Sequence, residues 1–169
     1  MVRALVAVLV GVVACANPNL GRAKHARYDA DAASVFQGAL DATQSRYSTL
    51  EAFPGQGLIK TAWHQVRDDG GSTLESTQQQ RTMGGTGTLT RHAHRRVFVR
   101  FDIRVTGERP YTVAVKSFGA EWKPGNAMPT ELDGVARPGW VEKYADSLRA
   151  DIYERLRSWA VAPATTASR

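Results

Sequence analysis

Arg96, Arg100 and Arg104 stand four residues apart in a stretch rich in β-forming residues. On a strand, residues an even number apart share a face, so the three guanidinium groups would line up on one side. A guanidinium is planar and always charged, and it grips carboxylate or phosphate with two parallel hydrogen bonds. Lys116 belongs to the next apolar alternation and falls opposite the arginines, with Arg95 at the edge. Phe98 lies between the first two arginines, and an aromatic on a charged face calls for something to cover it. Two readings are open. One is a docking face for an acidic protein surface or a phosphorylated lipid. The other is a solvated sheet face on which Asp102 pairs a neighbouring arginine.

Other groups offer weaker chemistry. His92 and His94, two apart on a strand, would face one side and are the only candidates for a metal, with His64 on a neighbouring strand. No carboxylate or cysteine stands at matching spacing, so no metal site and no cofactor are expected. A nucleophilic enzyme needs an activated Ser or Cys with a base and an orienting group. The sequence has no Gly-x-Ser-x-Gly, and Gly84-Gly85-Thr86-Gly87 lacks the lysine of a phosphate loop. The expectation is therefore a protein that is not an enzyme. Trp63 and Trp122 are candidates to border a groove between helix and sheet, where an apolar ligand would be held.

The elements that must position these residues can be read from periodicity. Asp31 is a fitting N-cap for a helix running to about Tyr47, with Ala32, Phe36, Leu40, Thr43 and Tyr47 on one face. Leu58 to Val66 reads as a strand bounded by Pro54-Gly55-Gln56-Gly57. Val97, Val99, Phe101, Ile103 and Val105 alternate with polar residues, and Gly107-Glu108-Arg109-Pro110 turns the chain. Tyr111, Val113 and Val115 then alternate with Thr112, Ala114 and Lys116, completing an antiparallel hairpin. Val141, Tyr144, Ala145, Leu148, Ile152, Leu156 and Trp159 predict a long last helix after Pro138. This order predicts an α+β fold. An antiparallel sheet of about three to five strands would carry an N-terminal helix and a long C-terminal helix on one face.

The chain begins with Arg3, a ten-residue apolar run Ala4–Val13, and Val12-Val13-Ala14-Cys15. The run is too short to span a bilayer and suits the apolar region of a secretion signal. The segment resembles the lipobox of bacterial lipoproteins, in which Ala14 and Cys15 occupy the matching positions. The resemblance implies cleavage after residue 14 and lipid on Cys15. Two or three acyl chains, at about 0.8 kcal/mol per buried CH₂, would anchor the chain to a membrane. The other reading is an ordinary secretion signal with Cys15 an incidental small residue. Lipidation accounts for the single cysteine of the chain, which excludes an intramolecular disulfide. By the same resemblance Ala16 points to the outer membrane.

The expected organisation is a signal at 1–14, a lipidated flexible tether at 15–30, and one α+β domain at 31–162. A Gly- and Gln-rich insertion falls at 67–91 and a disordered tail at 163–169. A net charge of +6 suits anionic partners, and export argues against nucleic acid. From Asp31 to Trp159 the pattern resembles the helix-grip domains of small envelope lipoproteins, among them accessory lipoprotein C of the β-barrel assembly machinery. Ile59-Lys60-Thr61-Ala62-Trp63, the arginine-rich strand, its hairpin mate and the long last helix carry that resemblance. It implies a non-catalytic protein-binding or assembly-accessory module at the periplasmic face of the outer membrane. Its partners would be the membrane, through the lipid, and an envelope protein, with anionic lipid a further candidate. The alternative is a carrier or sensor of a lipidic or anionic small molecule held between sheet and last helix.

Overall fold

The computed structural model describes residues 19–67, 95–134 and 137–161. Cys15, His92, His94, the insertion and the C-terminal tail lie outside them, apart from Arg67 at the insertion's start.

Asp31 caps helix α2 (Ala32–Arg46) as its sequence predicts. Its carboxylate accepts from the Ser34 backbone N–H at 2.8 Å and from the Ser34 hydroxyl at 2.7 Å, satisfying a helix-end donor. These hydrogen bonds hold the Asp31 carboxyl below its usual range. Helix α3 (Gly139–Leu156) begins after Pro138 and buries Val141, Ala145, Leu148, Ile152 and Leu156 along one stripe. The hairpin strands are β5 (Arg96–Thr106) and β6 (Thr112–Trp122), paired over their full length from Arg96 opposite Trp122 to Thr106 opposite Thr112.

The strand expected at Leu58–Val66 is two strands, β3 (Leu58–Thr61) and β4 (His64–Val66), lying end to end along β5. The reason is local. The Thr61 hydroxyl accepts the buried backbone N–H of Phe101 at 2.9 Å, in the place a ladder carbonyl would fill. Ala62 then turns its own N–H to Thr49 O at 2.9 Å. Gly57 starts β3 in a left-handed conformation (φ 59°), and a Cβ there would lie 2.6 Å from Val105 O.

Two further strands complete the antiparallel sheet, β2 (Leu50–Phe53) beside β3 and β7 (Thr130–Glu131) beside β6. The α+β architecture is as expected, with α2 and α3 on one face. The core lies between helices and sheet, where Val99, Phe101, Ile103 and Ile59 meet Val35, Ala39, Val141 and Leu148. Gly119 lets α3 approach β6, since a Cβ there would lie 2.7 Å from Val141 Cγ2.

The expected flexible tether at 15–30 is corrected from residue 20 onward. Leu20–His25 forms helix α1 and Arg27–Tyr28 forms strand β1, which pairs with β8 (Ala160–Val161). Helix α1 buries no residue of its own and is held on α3 by polar contacts. Asn19 donates to Glu154 at 3.0 Å, and Lys24 pairs with Asp146 at 3.1 Å. Tyr28 is buried between β8 and Tyr111, its hydroxyl pushed up in pKa by burial. Its apolar ring fixes the segment by tertiary packing, which local composition does not reveal. No helix among the described residues is long and apolar enough to cross a membrane.

Candidate functional site

The alternation of β5 puts Val97, Val99, Phe101 and Ile103 under the helices. It sends Arg96, Phe98, Arg100, Asp102 and Arg104 to the opposite face. Directly paired residues of antiparallel strands share a face. Trp122, Ala120, Phe118 and Lys116 of β6 therefore stand beside Arg96, Phe98, Arg100 and Asp102. The structure puts Arg96, Phe98, Arg100, Arg104 and Lys116 on one face, with Lys116 directly opposite Asp102 and not an arginine.

The arginines differ in their surroundings. The Arg100 guanidinium lies 4.9 Å from the centre of the Trp63 ring and 4.4 Å from that of Phe118. Trp63 follows β3 on one side of β5 and Phe118 lies on β6 on the other, so the cation is flanked by both rings. Arg96 rests on Trp122 at 5.4 Å, and Lys116 on Phe118 at 4.9 Å. Trp122 is in turn fixed by its indole N–H, which donates to Asn126 O at 2.8 Å. Arg104 is exposed, and no aromatic of the described residues stacks on it. Cation–π contact of this sort contributes about 0.5–2 kcal/mol, more as water is excluded.

Stacking occupies the faces of a guanidinium and leaves its N–H edge free to bond. The Arg100 Nε is buried and has no hydrogen-bond partner among the described residues, so the Nη end is the part left to bond. Asp102 does not take up the role of local partner. Among the described residues, no ion pair within 4 Å joins it to Arg100, Arg104 or Lys116. Arg96, Arg100 and Lys116 are held by rings and, among the described residues, by no carboxylate. Arg95, at its end, pairs instead with Glu121.

The groove expected at Trp63 and Trp122 is a correction. Both residues lie on the face away from the helices, stacked on Arg100 and Arg96. The space between sheet and α3 is filled by Val99, Phe101, Val141, Ala145 and Leu148, each fully buried. A shallow cleft of about 310 Å³ lies elsewhere, between α2 and α3, lined by Gln37, Asp41, Arg155 and Trp159.

His64 stands on β4 opposite Val99, on the helix side, with its ring 4.9 Å from that of Tyr47. Burial holds its pKa below the usual value, against a backbone hydrogen bond at Thr49 that acts to raise it, and its Nε2 has no hydrogen-bond partner. Among the described residues no three His, Cys, Asp or Glu side chains are grouped to hold a metal.

Phe118 is the site residue that sequence reading missed. It follows Lys116 at even spacing, and extending β6 to Trp122 would have placed it on the arginine face. The apolar alternation lapses because Ser117 and Gly119 occupy the core positions. Each has its reason. Ser117 accepts from Arg137, and Gly119 gives way to Val141.

No protein-family model matches this chain, and no curated protein or solved structure matches it either.

Proposed function

We propose that this protein is a non-catalytic binding module of the bacterial cell envelope, anchored through lipid on Cys15 at the periplasmic side of the outer membrane. Its partner on this reading is another envelope protein. The observation that carries the binding role is the bare sheet face. It presents a row of cations and aromatics that no described helix covers, with one arginine, Arg100, flanked by two rings. The filled space between sheet and α3 favours this reading over a carrier that holds its ligand there.

The anchor is tested by labelling cells with radioactive palmitate. The wild-type chain takes up label and Cys15→Ser does not; equal labelling overturns the anchor. The binding role is tested by crosslinking intact membranes and recovering the full chain. A stoichiometric protein partner is expected, and recovery of the chain alone removes the role.

A further inference from the structure

We infer that the bare sheet face recognises an extended acidic protein segment, whose carboxylates are gripped by Arg100 and Arg96 while its apolar groups rest on Phe98 and Trp122. This rests on the binding-module reading and names the partner's chemistry.

Charge complementarity supplies the sign. Arg96, Arg100, Arg104 and Lys116 share the face, and the ion pairs of the described residues neutralise none of them. The described residues supply no anion for them, which leaves them to bind one. Geometry supplies the form. The Arg100 guanidinium is flanked by Trp63 and Phe118 with its Nε buried, so its Nη end is the part that would meet a carboxylate with two parallel hydrogen bonds. Side chains four apart on a strand are separated by about 13–14 Å, which is also the distance between every fourth residue of an extended peptide.

The order of charges separates a protein from other polyanions. Asp102 interrupts the arginine row, and Glu51 stands opposite Lys60 on the same face. A nucleic-acid strand or an anionic bilayer is negative throughout and would set phosphates against both carboxylates. A protein segment can vary its charge from residue to residue. The path of the chain adds a second argument against a bilayer. Asn19 and α1 are fastened to α3, on the helical side of the sheet. The bare face is thus turned away from the side on which the anchored end enters the fold.

The test uses the full chain and a fluorescent peptide of about thirteen residues, mostly threonine and valine, with glutamate at every fourth position. Fluorescence polarisation should show saturable binding. Arg100→Lys keeps the charge but not the planar fork, and it should weaken binding about tenfold. Arg104→Lys, at a position without flanking rings, should leave binding within about twofold of wild type. Circular dichroism melts confirm that both variants fold. Equal binding by wild type and Arg100→Lys overturns the proposal, as does failure of the peptide to bind. Tighter Arg100-dependent binding of oligothymidylate, or of vesicles containing phosphatidylglycerol, overturns it in favour of phosphate recognition. If Arg100→Lys still recovers the crosslinked membrane partner in wild-type yield, the binding role stands and this face is not its site. If no partner is recovered by either chain, the binding role itself falls.

Discussion

The two faces of the sheet are made by alternate residues of the same strands, yet they satisfy their polar groups by opposite means. Under the helices, charge is closed on itself. Arg149 donates to Glu142, to Asp146 at 2.7 Å and to Val115 O at 2.8 Å, while Arg137 joins Ser117 to Glu142. These bonds tie α3, and the loop residue Arg137 just before it, to the sheet or to α3 itself. On the bare face Arg96, Arg100 and Lys116 lean on rings, and no carboxylate of the described residues closes the circuit. The first arrangement spends its hydrogen bonds on holding the fold together. The second stacks its cations on rings, and on the proposed binding role that is preorganisation of the kind binding uses.

That contrast predicts unequal costs for equal truncations. Phe101 and Phe98 are three residues apart on β5 and face opposite ways. Phe101 is fully buried among core residues, whereas Phe98 is half-buried on the bare face. Phe101→Ala should lower unfolding free energy by about 3–5 kcal/mol. Phe98→Ala should cost about 1 kcal/mol or less, because its ring contacts little on its outer side. Urea denaturation of both variants measures the difference. Comparable losses would mean the bare face is structural.

A smaller effect concerns His64, which lies on the covered side with burial lowering its pKa. In the unfolded chain it titrates near 6.5. The unfolded state therefore binds the proton more readily, and stability falls as pH drops below about 6.5 toward the lowered folded value, levelling beyond it. His64→Gln should flatten this part of the stability–pH curve, as read from melts between about pH 5 and 8. An unchanged slope would assign the dependence to another group. Asp31 and Asp41 act at lower pH. Their hydrogen bonds hold their pKa values down, so stability they confer is lost as pH falls through the carboxylate range.

What the sequence discloses follows from how each element is stabilised. Helix α2, helix α3 and the β5–β6 hairpin bury one stripe or one face, so their apolar period is written in the chain. Asp31 even marks where α2 begins. The arginine face was legible for the same reason, being the complement of that alternation. Helix α1 was not, because it buries no side chain and is held by Asn19 and Lys24 reaching residues far along the chain. Strands β7 and β8 have two residues each, too few to show a period. The rings that flank Arg100 were split by the same problem. Trp63 sits at the break between β3 and β4, and Phe118 sits where Ser117 and Gly119 hide the pattern. The chemistry of the site was written in residue types, but its assembly depended on two local irregularities.

The pairing of β1 with β8 bears on the order in which the molecule can be completed. Arg27 and Tyr28 meet Val161 and Ala160, and Asn19 meets Glu154 across 135 positions of sequence. During synthesis the segments made first have their partners made last. Until Trp159 and Ala160 exist, β1 lacks its ladder and α1 has no complete surface to lie on. Such long-range closure is slow to form because the chain must first surrender the freedom of the whole intervening loop. On the proposed export of this chain, that delay keeps its leading end unattached until the trailing end arrives.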